Sequence, residues 1–103
     1  MSNYDLIRQA ILDRECITCS YNGYVRKMTP HVIGTKNGNK QALFYQYGGN
    51  SSSGLSSNPF KNWRCIEISK IKDLKLNSDL FQTANNHSKK QTCVDNIDVE
   101  VNC

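Results

Sequence analysis

Apolar positions along this chain follow two different periods. Over residues 2–14, Leu6, Ile7, Ala10 and Ile11 recur on one helical face. Ser2, three positions before Asp5, supplies a capping pair, so the spacing predicts a helix over 2–14. Beyond it the period falls to two. "ECITCSY" and "YVRKMTPHVIG" flank Asn22-Gly23, and "TKNGNK" carries a second such turn at Asn37-Gly38 before "QALFYQYGG". Asn-Gly is the strongest short hairpin signal, because both residues tolerate positive φ. A fourth strand fits "KNWRCIEI", "SKIKDLKL" reads as a bend or short helical turn, and "NSDLFQTANNHSKKQ" as a polar loop. "TCVDNIDVEV" closes the chain as a fifth strand. One helix and five short strands at close spacing predict a mainly β, strongly bent barrel, with the helix over about 2–14 and the barrel over about 15–101.

"GGNSSSGLSSN" interrupts this pattern between the third and fourth strands. Cutting there would leave a helix with three strands on one side and little more than two strands on the other. Neither half buries a core of its own, so the patch is a loop on one domain spanning 1–103 rather than a linker.

Hairpin register sharpens the picture. A two-residue turn at Asn22-Gly23 pairs Tyr21 with Tyr24, Cys19 with Arg26 and Ile17 with Met28, and paired residues share a face. That face is apolar or aromatic except for Arg26. Thr18, Ser20, Val25 and Lys27 take the other. In "NWRCIEI" Arg64 likewise shares a face with Ile66 and Ile68. A guanidinium in apolar surroundings is costly unless paired, so each arginine is expected at a barrel mouth, beside a carboxylate, or facing an anionic guest. A one-residue slip or a snorkelling stem would instead take either to solvent.

Composition narrows the options. A chain of 103 residues with 38% hydrophobic residues and mean hydropathy −0.60 supports an economical core and no large enzyme cleft. Net charge is +4; residues 61–90 hold seven Lys/Arg against three Asp/Glu, and 91–103 hold only Asp95, Asp98 and Glu100. A mildly basic body suits an anionic partner. The charged N-terminus lacks a signal-peptide core and no apolar run is long enough to span a membrane, so a cytoplasmic protein is expected. In that compartment Cys16, Cys19, Cys65, Cys93 and Cys103 are expected as thiols rather than as a disulfide frame.

The cysteines also carry candidate chemistry. "CITC" has no second close pair to complete a zinc site, and on a strand Cys16 and Cys19 point to opposite sides, with Cys19 in the core and Cys16 under the helix or at the surface. No local motif builds a Cys–His nucleophile, so neither metal, cofactor nor enzymatic activity is expected. His31, on a strand, has packing as its structural role, and His87 sits in a polar loop with Asn85, Asn86, Lys89 and Lys90. If that loop meets the Gly/Ser patch, His87 and the amides of Ser51, Ser52 and Ser53 form a phosphate-gripping rim. Tyr47 and Trp63 border the patch and are the candidates for stacking a base, while Phe44 and Tyr45 are expected to fill the core.

"LIRQAILDRECITCSYNG", Arg26 and Pro30 in "YVRKMTPHVIG", and Arg64, Ile66, Ile68, Lys70 and Ile71 in "RCIEISKI" together resemble the WYL domain over most of residues 6–76. The tripeptide that names that family reads Gln41-Ala42-Leu43 here. The resemblance implies an SH3/Sm-like barrel, a divergent stand-alone member of a group found in prokaryotic regulators and phage-defence proteins. It implies ligand sensing by basic residues. The expected function is therefore a small module binding a nucleotide, an oligonucleotide or another anion. Arg26 and Arg64 would pair with phosphate, Tyr21 or Tyr47 would orient the rest, and His31, Trp63, the three serines and His87 would sit around them. Its expected partners are an anionic small molecule or a single-stranded nucleic acid. The alternative is a protein-interaction or homodimer subunit that uses "DNIDVEV" as an exposed edge.

Overall fold

The computed structural model describes residues 2–49, 63–77, 79 and 93–101. Helix α1 (Asn3–Asp13) is followed by strands β1 (Cys16–Tyr21), β2 (Tyr24–Lys36), β3 (Asn39–Gly49) and β4 (Trp63–Glu67). A 3-10 turn (Ile68–Lys70) leads into β5 (Lys72–Asn77), and β6 (Asn96–Glu100) ends the described chain. The start of α1 is capped as its sequence implies, Ser2 Oγ accepting from the Asp5 amide at 3.1 Å. It ends at Arg14, which adopts a left-handed φ of 55° while the Glu15 amide reaches back to the Ala10 carbonyl. Ile7, Ala10 and Ile11 form its buried stripe.

All strands pair antiparallel in the order β4-β3-β2-β1-β5, with β6 alongside β2. Both hairpins turn on Asn-Gly, with φ of 53° and 80° at Asn22-Gly23 and 52° and 82° at Asn37-Gly38. The first turn sets the expected register: Ile17 faces Met28, Cys19 faces Arg26 and Tyr21 faces Tyr24. On the inner face Ile17, Cys19, Met28, Ile33, Ala42, Phe44 and Ile66 join the α1 stripe, Ile68, Ile71 and Val101 in one cluster. Residues from both ends of the sheet meet in that cluster, so the sheet curls around it.

Three findings correct the sequence reading. There are six strands, not five. Residues 69–76 hold only the end of the 3-10 turn and then β5, a polar-looking strand whose Asp73 takes a left-handed φ of 53°. A register shift between β1 and β5 lies there, and the extra residue hides the strand's period of two. Secondly, no ladder joins β4 to β5 among the described residues, so the strands form an open, curled sheet rather than a demonstrably closed barrel. Thirdly, Cys65 and Cys93 are joined in a disulfide, while Cys16 and Cys19 are buried thiols. The pairing was illegible because the partners lie 28 residues apart in sequence and meet only when β6 docks.

β2 organises this arrangement. Its first half pairs β1 up to Met28, and from Val32 the same edge pairs β6. Pro30 sits at the changeover, where its missing N–H forfeits no ladder bond, and the β2–β3 register shifts between Pro30 and Val32. Further along, a Cβ on Gly34 would overlap the Asn96 carbonyl oxygen and meet Val94 at 2.6 Å, so glycine is what lets β6 approach. Cys93 and Val94 then cover Val32 and Leu43 on the outer face.

Two outcomes follow from this docking. Gly34→Ala is expected to destabilise the fold by about 1–3 kcal/mol, because backbone rather than a flexible side chain must give way; chemical denaturation checks it, and an unchanged midpoint refutes it. Replacing both Cys65 and Cys93 by serine is expected to lower unfolding free energy by about 3 kcal/mol, the value for closing a loop of this length. A midpoint in urea that does not respond to dithiothreitol would contradict that.

Candidate anion site on the inner face

Arg26 lies on β2 between Tyr24 and Met28, with Cys19 opposite on β1 and Gly49 opposite on β3. The hairpin register turns it inward, and it is only 3% exposed. Nη1 donates to Gln46 Oε1 at 3.5 Å, the long limit of a hydrogen bond. The guanidinium carbon stands 5.0 Å from the centroid of the Tyr21 ring, within cation–π range. Nε is buried and has no partner among the described residues. All nine side-chain carboxylates of the chain are described, yet the ion pairs among them are Arg8–Asp98 at 3.3 Å and Lys70–Glu67 at 3.8 Å. None reaches Arg26.

Gln46 is fully buried, and its Nε2 donates to the Gly48 carbonyl at 3.1 Å, which leaves Oε1 aimed at Arg26. Arg64 enters the same face from β4, where it pairs with Phe44. It is half-buried and its Nη1 donates to the Trp63 carbonyl at 3.2 Å. Burial lowers its pKa from the ordinary guanidinium value, and repulsion by Arg26 lowers it further. The two cations therefore feel each other, and a negative guest would relieve both. Tyr21 also lines a groove with Ser69, Lys70 and Lys72 at the end of the first hairpin, adding positive charge beyond its ring.

The structure thus brings together Tyr21, Arg26 and Arg64. Tyr47, His31 and Trp63 lie on the opposite face, held in contacts of their own. The Tyr47 hydroxyl donates to Asp79 Oδ2 at 2.6 Å and accepts from Asn77 Nδ2 at 3.3 Å; Asn77 also donates to Thr18 Oγ1 at 2.9 Å. Burial, then the bond to Asp79, raises the Tyr47 pKa. This network ties the ends of β3 and β5 to β1. His31 is buried with Nδ1 2.9 Å from the Thr29 carbonyl oxygen, which can only accept, so that nitrogen carries the proton. Trp63 meets the His31 and Tyr45 rings edge-on, with centroids 4.7 and 5.3 Å away. Phe44 fills the inner core as expected, whereas Tyr45 packs on the outer side with this cluster. Ser51, Ser52, Ser53 and His87 lie outside the described residues.

Gln46 and Gly49 were missed. Carrying the face alternation from Arg26 and Met28 onto β3 would have found Gln46, a polar residue in an apolar register. Gly49 was legible only as part of a flexible patch. Cys16, expected beneath the helix or at the surface, is buried on the outer side against Thr29, its Sγ 3.5 Å from Oγ1. Cys19 is in the inner core, where burial pushes its thiol up to about 11 against a smaller opposing effect of Arg26. Among the described residues no three His, Cys, Asp or Glu side chains converge as metal ligands, and no helix is long and apolar enough to cross a membrane. Comparison with family models, curated proteins and solved structures finds no match for this chain.

The Cys19 shift has a pH consequence. A thiol titrating at about 11 when folded and near 9 when unfolded leaves stability unaffected below pH 9. Between pH 9 and 11 the unfolded state gives up its proton first, so stability falls as pH rises. The expected loss is on the order of 2 kcal/mol, and Cys19→Ala should remove that part of the alkaline slope. Equal slopes for both proteins, measured by thermal melts across the window, would refute the assignment.

Proposed function

We propose that this protein is a small anion-binding module of SH3/Sm-like, WYL-related build, and that Arg26 is the residue on which its ligand bears. One observation carries the reading: a guanidinium 3% exposed, with a buried unpartnered Nε and none of the nine carboxylates beside it. A structural arginine at such a position would recruit a carboxylate, since an uncompensated buried charge costs several kcal/mol (roughly 3–5). Arg64 shares the face and its repulsion with Arg26 favours the same guest, while Tyr21 fixes the plane of the guanidinium. Lys70 and Lys72 at the neighbouring groove supply a basic approach. The ligand class is a nucleotide, an oligonucleotide or another phosphate-bearing anion.

The connectivity supports the barrel part of this reading. β5 returns after the 3-10 turn to pair with β1, the connection by which a five-stranded meander begins to close. Arg26, Pro30 and Arg64, on which the family resemblance rests, fall on the two strands that carry the site and the bend.

Arg26→Met tests the proposal because function and stability then move in opposite directions. It should abolish binding to a panel of nucleotides and short oligonucleotides. It should also stabilise the unliganded protein by about 1–3 kcal/mol, as apolar replacements of buried charges often do. Retained binding, or a loss of stability of the same size, would show that Arg26 is held for the fold alone.

A further inference from the structure

We infer that the group bound at Arg26 is a terminal phosphate, a phosphomonoester held by the Nε edge of the guanidinium beside the bare backbone of Gly49. This rests on the anion-binding reading of the same site and narrows it.

A guanidinium presents its donors as a planar fork, and two parallel N–H groups along one edge match two oxygens of a phosphate. In Arg26 the Nη1 donor is engaged by Gln46, whose orientation is itself set by Gly48. Nε is the donor left over, so the edge to which it belongs is the one that receives the anion. The Tyr21 ring lies against the guanidinium and holds its plane.

Enclosure decides between an internal and a terminal phosphate. An internal phosphodiester leaves its site in two directions and needs an open trough past the arginine. Arg26 is almost wholly buried, so a group with chain on one side only fits the surroundings better. Its two cross-strand neighbours are a cysteine and a glycine, and Gly49 contributes no side chain beside it. The groove lined by Tyr21, Lys70 and Lys72 offers the remainder of the ligand a basic exit. Charge points the same way. A phosphomonoester carries close to two negative charges at neutral pH, a diester one, and Arg26 has a second guanidinium, Arg64, in electrostatic range.

The test uses the full chain with a short single-stranded oligothymidylate bearing a terminal phosphate, the same oligomer ending in a hydroxyl, and inorganic phosphate as competitor. Calorimetric titration should show the phosphorylated oligomer binding about tenfold tighter or more, the worth of one charge-assisted hydrogen bond. Inorganic phosphate should displace it. Gly49→Val should erase that preference while keeping a cooperative melt. Gly49→Ala, a smaller intrusion, is measured alongside, so that a misfolded valine variant still leaves a readable comparison. Equal affinity for both oligomers, lost in Arg26→Met, would overturn the terminal-phosphate inference and leave the anion site standing. No binding of either oligomer or of inorganic phosphate would overturn both.

Discussion

An uncompensated guanidinium in the interior is the constraint around which this small protein is arranged. Turning Arg26 outward would require β2 to slip by one residue against β1, and a slip moves every side chain to the other face. Ile17, Met28, Ile33 and Phe44, all fully buried, would lose their places in the cluster. At about 1.5–3 kcal/mol for each large apolar side chain, that loss exceeds the several kcal/mol saved by hydrating one cation. The Asn22-Gly23 turn adds a second lock, because its backbone admits only one pairing of the strands it joins. The cation is therefore held inside by the hydrophobic pattern, and the strain it carries is available to a ligand.

The same strand that buries Arg26 also divides the molecule's labour. Before Pro30, β2 pairs with β1 and presents the charged site; after it, β2 pairs with β6 and builds the scaffold. The scaffold end is over-determined. Gly34 admits the β6 backbone, the Cys65–Cys93 bridge fastens its approach to β4, and Gln41 donates to the Cys93 carbonyl at 2.8 Å. From the helix, Tyr4 and Arg8 both reach Asp98 on β6, the tyrosine at 2.6 Å. Burial and the Asp98 bond push the Tyr4 hydroxyl up to about 12, so it stays a donor across the physiological range. Asp98 is thus bound to the helix rather than displayed on an exposed edge, which weakens the interaction-subunit alternative.

The two faces of the sheet explain why the sequence grouped more site residues than the geometry does. Tyr47 and Trp63 were singled out for bordering the Gly/Ser patch, a criterion of nearness along the chain. Alternation in β3 and β4 places them across the sheet from Arg26, in contacts with Asp79, Asn77, Tyr45 and His31. Tyr21 was selected by register and stays with Arg26, since cross-strand pairing carries facing information that chain proximity does not.

What the chain determined by itself is local: the helix with its serine cap, both Asn-Gly hairpins, and through the first of them the inward facing of Arg26. Each depends on backbone conformations or side-chain alternation over a few neighbouring residues, so short windows of sequence contain the whole cause. Tertiary structure alone decided the rest. β5 appears only when β1 offers it a ladder, since a bulge at Asp73 disguises its alternation. The disulfide exists because docking of β6 brings together two distant thiols. The absence of any carboxylate beside Arg26 is likewise a global fact, settled by where nine acidic side chains end up in three dimensions, which no local pattern encodes.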